Sequence, residues 1–483
     1  MEPIGTGLWF EMPTPPTLPP ELWRHILSYI DSSLLLPICG VNHVFRDVAL
    51  DHRHRHLWLG YLSDTKILLI QSLKDPWLAK RVKSLYLATG AVGARVDASR
   101  LALPKPKNRL GYSDILASFL PSVVRRWVTN VPVEVIDDIQ SDATSMSAES
   151  LLPLLDVVLD QLKNVSELEI ILDHAGNLDF ELDFLRKLYC LFVSRNIQAL
   201  SLQFYDYKLS LVLPLTPFIG LRKVSLTLLP PLNPSPLSAD AFSALHQFLE
   251  RIAPSVEDLS FATPDFDIVK QLASSLHSIT MPNVRELGTP LIFDDLGAIQ
   301  SMGSRYPCLS ALKLYPWSPR IAPALPLGCL RLSGLRSLTL SLSDIRDASF
   351  FEPSGYRQLE ELNISNACLY SDTVDAICKF FASSSITRLR LSEFYLVSGN
   401  TFDCLSRSFP VLHTLDLSTE SVNTLTSEFD SDALVERHYP DWHVSVINLK
   451  LRLRLSESPK AIAPVLQRCI PNLKVINVES LSF

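Results

Sequence analysis

The segment Leu335–Leu340 reads Leu-Arg-Ser-Leu-Thr-Leu, and Leu359–Ile364 reads Leu-Glu-Glu-Leu-Asn-Ile. Both follow the pattern L-x-x-L-x-L, with aliphatic residues at the first, fourth and sixth positions. The pattern recurs along the chain, and its fourth position is occupied by Leu85, Leu168, Leu200, Val224, Leu259, Leu287, Leu312, Leu338, Leu362, Leu389, Leu415, Leu449 and Ile476. A repeat of this kind cannot bury its apolar face alone, so its copies must stack.

Helical patterns separate the copies, as in Ala239–Ile252 and Thr373–Ala382. Several end at a proline directly before the next strand, as at Pro307, Pro410 and Pro471, where a helix cannot continue. Each unit therefore reads as strand, loop and helix. We expect an α/β fold over residues 81–483: a curved leucine-rich-repeat-like solenoid of about thirteen to fifteen irregular units, with parallel strands on the concave face and helices on the convex face.

The N-terminal part differs in composition. Residues 1–15 are rich in proline and are expected to be disordered, and residues 61–80 are expected to form a helical connector. Between them, residues 16–60 predict three helices. Leu22, Ile26, Leu27 and Ile30 have helical spacing, Asp31-Ser32-Ser33 suits the start of a second helix, and Asn42–Trp58 suits a third.

Residues 18–58 resemble an F-box. The matching residues are Leu18-Pro19-x-Glu21-Leu22, Ile26-Leu27-x-x-Ile30, Leu34-Leu35, Val41-Asn42, Phe45-Arg46, Val48-Ala49 and Trp58. The whole chain resembles fungal F-box/leucine-rich-repeat-like proteins, although its repeats lack the Asn/Cys consensus of plant and animal repeats.

The resemblance implies a function. F-box segments bind a Skp-family adaptor, which links them to a cullin ubiquitin ligase, and the repeats would then hold an unknown target protein. The adaptor-binding residues implied are Leu18, Pro19, Leu22, Ile26, Leu27, Leu35, Ile38 and Val41. The alternative is a protein-interaction scaffold outside any ligase, in which the three helices only cap the solenoid.

Side chains at alternate strand positions face the concave wall, so its chemistry can be listed from the sequence. The wall begins acidic and ends basic. We expect a target site for an acidic or phosphorylated segment at the basic end, because arginine binds carboxylate and phosphate with two parallel hydrogen bonds. Its residues would be Tyr315, Trp317, Arg388, Arg390, Lys450, Arg452 and Arg454. The alternative is an ordinary solvated face.

Composition argues against several other classes. The net charge is −7, which disfavours nucleic acid as a partner, and no apolar run approaches the length of a membrane span. The first twelve residues lack the positive charge of a secretory signal. The eight cysteines form no C-x-x-C pair, which favours free thiols and hence the cytoplasm or nucleus.

Three other kinds of chemical site are disfavoured by the residues themselves. His52 and His56 could share a helix face and hold a metal, but arginines separate the histidines of this segment. Gly90-Ala-Val-Gly93 lacks the Lys-Ser/Thr of a phosphate-binding loop. No nucleophile motif of the G-x-S-x-G kind occurs. We therefore expect no catalytic residue, no metal and no cofactor; the protein is not expected to be an enzyme.

Overall fold

The computed structural model describes much of the chain. The described residues are 18–30, 32–35, 43–59, 69–89, 148–172, 178–205, 208–229, 238–263, 268, 272, 275–276, 278–290, 302–315, 334–341, 357–365, 369, 371–382, 384–392, 396–397, 399–418, 428–429, 434–451 and 459–480. The expected tail 1–15 and the Gly90–Gly93 loop lie outside them.

Fourteen strands form one parallel sheet, and each pairs with the strand of the next unit. They are β1 (His56–Leu59), β2 (Ser84–Ala88), β3 (Glu167–Ile171), β4 (Ala199–Tyr205), β5 (Lys223–Leu229), β6 (Asp258–Ala262), β7 (Glu286–Pro290), β8 (Ala311–Tyr315), β9 (Ser337–Ser341), β10 (Glu361–Ser365), β11 (Arg388–Ser392), β13 (Thr414–Ser418), β15 (Val446–Leu451) and β16 (Val475–Ser480). A separate pair joins β12 (Leu396–Val397) to β14 (Glu428–Phe429).

The helices of the solenoid connect these strands. They are α4 (Pro76–Ala79), α5 (Ala148–Gln161), α6 (Leu178–Phe192), α7 (Leu209–Val212), α8 (Ala239–Ile252), α9 (Ser371–Phe381), α10 (Gly399–Ser408) and α11 (Pro459–Cys469). In α8 the hydroxyl of Ser238 accepts a hydrogen bond from the backbone N–H of Ala241, which begins the helix. One face of α8 carries the buried residues Leu245, Phe248 and Ile252.

Burial alternates along most strands and explains the repeat pattern, although in β7 Leu287 and the adjacent Gly288 are both buried. In β10, Leu362 and Ile364 are fully buried, whereas Glu361 and Asn363 face the opposite side of the sheet. Because neighbouring strands pair in register, their buried residues form rows. Leu362, for example, pairs with Leu338 on one side and with Leu389 on the other. Each fully buried leucine contributes roughly 1.5–3 kcal/mol, so the stacked rows form the main stabilising core. The α/β solenoid, with parallel strands on its concave face, is therefore confirmed.

The structure corrects two details of the repeat. First, β1 adds a strand that the pattern did not predict, and the sheet thus begins before residue 81. Second, the unit expected at Val446, Leu449 and Leu451 is shifted by two residues, since Ile447 pairs with Leu415 and the buried residues are Val444, Ile447 and Leu449. Both readings fit the sequence, and a shift of two residues leaves every side chain on the same face.

The N-terminal helices are α1 (Pro20–Leu27), α2 (Ser32–Leu35) and α3 (His43–His54). We call them the helix trio. Its interior consists of Leu27, Leu35, Phe45 and Ala49, with the Trp23 ring packed edge-on against Phe45 at 5.1 Å between centroids. The third helix is shorter than expected: it ends at His54, and Trp58 lies in β1 rather than on a helix.

Candidate functional site

The outer face of α1 is apolar and exposed. Leu18 precedes the N-cap of the helix, Leu22 and Ile26 lie one turn apart on it, and Tyr29 follows its C-cap, at intervals of three or four residues. Their exposed fractions are 39%, 49%, 41% and 78%, and Leu34 of α2 is 55% exposed. Exposed apolar side chains that adjoin one another mark an interaction surface. We call these five residues the trio face.

Two of the predicted adaptor residues lie elsewhere. Leu27 and Leu35 are 2% and 4% exposed and form the interior of the trio, so neither is available to a partner in this conformation. Pro19 is exposed at the start of α1, next to Leu18. Ile38 and Val41 lie outside the described residues.

Sequence reasoning missed Tyr29 and Leu34 as members of the trio face. The signal for Tyr29 was present, since it follows Ile26 by three residues and therefore shares its side of the helix. Leu34 and Leu35 could not be told apart from the sequence, because two adjacent leucines on a short helix give no period.

An arginine fastens the trio to the solenoid. The Arg81 guanidinium donates to the backbone carbonyl oxygen of Asp47 at 3.0 Å and to its carboxylate at 3.2 Å, and it also pairs with Asp51. It lies over the Trp77 ring at 4.0 Å from the centroid. Because α3 also leads directly into β1, the trio is joined to the first unit through both the main chain and this cluster.

The basic end of the wall centres on β11. Arg388 and Arg390 are both exposed on the concave side, two residues apart on one strand and so about 7 Å apart along it. Within the part of the chain that the structure describes, neither guanidinium has a hydrogen bond or ion pair. Lys450 is half-buried in β15, two strands away. Tyr315 ends β8, and its side chain is outside the description, as are Trp317, Arg452 and Arg454 altogether.

Arg390 lies in a row of amide and carboxylate side chains, whereas Arg388 lies between Glu361 and Thr414. Arg390 lies between Asn363 of β10 and Asp416 of β13 in the same row. The Asn448 amide donates to the Asp416 carboxylate at 2.5 Å, and Asn477 donates to the Asn448 oxygen at 2.7 Å. The side-chain oxygen of Asn363 is buried and has no partner among the described residues. An unsatisfied buried acceptor is costly, which makes this row a candidate contact for a ligand donor.

Charges in the middle of the wall are paired with one another. Lys223 of β5 contacts the Asp258 carboxylate of β6 at 2.8 Å, and Lys313 of β8 pairs with Glu286 of β7. Such pairs neutralise the centre of the wall. Towards the C-terminal end, Arg388, Arg390 and Lys450 pair in register with Glu361, Asp416 and Glu479, so basic and acidic side chains alternate there.

The acidic end carries Glu167 and Glu169 of β3. Glu167 is exposed, whereas Glu169 is half-buried, and burial raises the pKa of its carboxyl group to about 7. In the neighbouring strands, the rings of Trp58 and Tyr86 stack with a centroid separation of 3.3 Å. Sequence reasoning identified the acidic character of this end but not the ring stack, since Trp58 was expected on a helix.

The described residues include no group of three or more His, Cys, Asp or Glu that could hold a metal ion. His52 is exposed on α3, and His56 begins β1 with its Nδ1 at 2.5 Å from the Ser84 hydroxyl. Five described cysteines, among them the buried Cys378 and Cys469, are free thiols. No helix in the described ranges is long and apolar enough to cross a membrane.

Comparison with known proteins gives little further information. No protein-family model matches this sequence, and no curated protein matches it. Among solved structures, the chain is similar to one in the "Crystal structure of Rad7 and Elc1 complex in yeast", at 14% identity and a TM-score of 0.37 over 86% of this chain and 93% of that chain. Similarity at this level carries no weight for function, so the residues themselves must support any proposal.

Proposed function

We propose that this protein is the substrate-recognition subunit of a ubiquitin ligase of the Skp–cullin–F-box type. The helix trio would bind the Skp-family adaptor, and the concave wall would hold a target protein. Ubiquitin transfer to the target would then follow from proximity, with no catalytic residue supplied by this chain.

One observation carries the proposal: the trio face stands exposed on a helical unit that the sequence relates to an F-box. Tyr29 is 78% exposed and Leu34 is 55% exposed, although both are large and apolar. A partner that covers the trio face would remove this apolar surface from water, which contributes about 25 cal/mol for each Å² buried.

Adaptor binding is tested by co-purification of the full chain with the Skp-family adaptor. We expect Leu22→Asp to abolish it, because a carboxylate at the centre of the trio face would lose its hydration on binding. Val157→Asp is the matched control: Val157 is 50% exposed, close to the 49% of Leu22, but lies on α5 of the solenoid. Undiminished adaptor capture by Leu22→Asp would refute the proposal.

We propose Arg388 and Arg390 as the contact for the target. Among the described residues neither guanidinium has a partner, and both lie on one strand, which supports an acidic or phosphorylated segment as the ligand. Proximity labelling in cells, combined with cullin inhibition, would identify proteins that are both near this chain and stabilised when the ligase is blocked.

Charge reversal then tests the contact on an identified target. We expect Arg388→Glu together with Arg390→Glu to end target binding while adaptor binding is retained. Arg336→Glu is the control, since Arg336 directly precedes β9 and already has Glu360 within 3.6 Å. Target binding that survives the reversal would leave β11 as an ordinary solvated surface.

The alternative is a scaffold in which the trio caps the solenoid. The Arg81 cluster and the continuity of α3 with β1 favour this reading, since both tie the trio to the first unit. The two functions differ in one measurement: a cap stabilises the solenoid without an adaptor, and target half-life would then be insensitive to cullin inhibition.

A further inference from the structure

The first three strands bring two aromatic rings and a carboxylate into one row of the concave wall. Trp58 of β1 pairs in register with Tyr86 of β2, and Tyr86 pairs with Glu169 of β3. The two rings are nearly parallel, at 5° between their planes. All three side chains are half-buried, so each keeps part of its surface in contact with solvent.

Glu169 lacks a cationic neighbour. Among the described residues its carboxylate forms no ion pair and no hydrogen bond, and the group beside it is the Tyr86 ring. Three other carboxylates of the wall have partners: Asp258 contacts Lys223, Glu286 contacts Lys313, and Asp416 accepts from Asn448. A carboxylate shielded from water without a partner is unfavourable, and burial accordingly raises its pKa.

On the other side of Glu169, the described strands carry small side chains in its row. The next positions in the same row are Ser201, Ser225, Ser260 and Gly288, on β4 to β7. These side chains are short. The next long side chain in the row is that of Lys313 on β8. Glu169 therefore borders a shallow trough, with the aromatic rings behind it.

We propose that this aromatic–carboxylate corner binds a lysine or arginine side chain of a target polypeptide. The cation would pair with the Glu169 carboxylate in surroundings that the rings keep partly free of water, where a charge-assisted hydrogen bond is strong. The flat guanidinium of arginine also packs well against aromatic side chains. An acidic or neutral segment would leave Glu169 unpaired, so charge selects the ligand.

This proposal rests on the proposed function only in taking the concave wall as the surface for a target. It adds to that function a basic residue that the target would carry.

Eight strand intervals separate β3 from β11, which is about 38 Å along the sheet at 4.8 Å per interval. An extended segment of about eleven residues covers that distance. A target with a basic residue at one end and an acidic one at the other would therefore bind in one direction.

The test uses the full-length protein and a displayed library of random twelve-residue peptides. We expect the peptides selected by the wild-type protein to share a lysine or arginine at a fixed position. The Glu169→Gln variant should lose this preference, and so should Tyr86→Ala. Glu361→Gln is the control, since Glu361 is a half-buried carboxylate of the same wall on the distant β10.

A selected peptide is then compared with its analogue in which citrulline replaces the arginine, or norleucine the lysine. The replacement should weaken binding to the wild-type protein about tenfold, and should leave binding to Glu169→Gln almost unchanged. Peptides with no shared basic residue, no enrichment at all, or an equal loss in both proteins would overturn the proposal. Leu22→Asp should keep the peptide preference, so failure at this corner and failure of adaptor binding are separate results.

Discussion

The helix trio and the solenoid bury their apolar residues to very different extents. Four side chains form the interior of the trio, whereas the buried core of the solenoid runs without a break from Leu57 to Leu473. The trio leaves Leu22 and Leu34 exposed, although they are as apolar as the leucines that the solenoid encloses, and it also exposes the Tyr29 ring. In the solenoid each unit covers the apolar residues of the next unit, whereas the trio adjoins the solenoid on one side.

The difference suggests two kinds of stability. Contacts between successive units stabilise the solenoid, so its cooperative unfolding depends on its own repeats. The trio is too small to bury its own apolar surface and depends on the Arg81 cluster and on whatever covers the trio face. Variants that act on one region and spare the other can therefore separate the two.

The largest effect is expected inside the solenoid, at Lys208. Its ammonium group contacts the Glu181 carboxylate at 2.5 Å, both side chains are 1% exposed, and Thr89 donates to the same carboxylate. Lys208→Met leaves a buried charge uncompensated and should lower the free energy of unfolding by roughly 3–5 kcal/mol. Chemical denaturation measures this. The double variant with Glu181→Leu should recover much of the loss, and a cost below about 1 kcal/mol for the single variant would contradict the expectation.

The next effect belongs to the trio interior. Leu27→Ala should cost roughly 2–4 kcal/mol, because it opens a cavity among Leu35, Phe45 and Ala49. Since the trio is a small unit, we expect a separate transition at lower temperature, while the solenoid transition is unchanged. Leu389→Ala, in the solenoid core, should instead move the main transition. A single transition shifted alike by both variants would show that the two regions unfold together.

The third effect is a gain in stability. In the folded chain the Glu169 carboxyl keeps its proton up to a pH of about 7, because burial raises its pKa, whereas in the unfolded chain it ionises near the ordinary value of 4.5. The free energy of unfolding should therefore fall as pH rises from 4.5 to 7, and should be level above that.

Glu169→Gln removes this dependence, and at pH 8 it should stabilise the protein by at most about 3.4 kcal/mol, which corresponds to the difference between pKa values of about 7 and 4.5. Denaturation curves at pH 5 and pH 8 check the prediction. The stability difference between variant and wild type should be small at the lower pH and large at the higher. Equal behaviour of Glu169→Gln and wild type at both values would mean that the carboxylate is solvated.

The smallest effect on stability is expected at the trio face itself. Leu22→Asp replaces an exposed side chain in the first turn of α1, where a negative charge is favourable, so it should change stability by less than about 0.5 kcal/mol. Circular dichroism melting of the variant checks this. A marked loss of helix would mean that Leu22 stabilises the trio, and that any loss of adaptor binding is indirect.

The repeat pattern predicted the solenoid because each leucine at its fourth position had to be buried. It placed strands at all thirteen copies, including the weak one at Leu287, where Thr289 holds the sixth position. It failed where two frames fitted equally, as in Val444-Ser-Val-Ile-Asn-Leu, since only pairing of Ile447 with Leu415 decides between them. It also missed β1, because four residues following a helix are too few to show a period.

The functional residues were less predictable for a related reason. The spacing of apolar residues in the sequence indicates which side of a helix or strand a residue lies on. It does not indicate whether another element covers that side. Leu27 and Leu22 both fit an amphipathic helix, yet α3 covers only Leu27. The freedom of Arg388 and the isolation of Glu169 depend on what neighbouring units place beside them, which is a property of register between strands more than twenty residues apart.

The in-register pairing of fourteen strands has a mechanical consequence. Thirteen junctions connect them in series, and each strand bonds only to the strands beside it. A small change of angle at each junction costs little free energy, and the changes add up along the series. A change of about 1° per junction would turn one end relative to the other by about 13°. Such bending would vary the distance between the two charged ends while the stacked leucine rows remained intact.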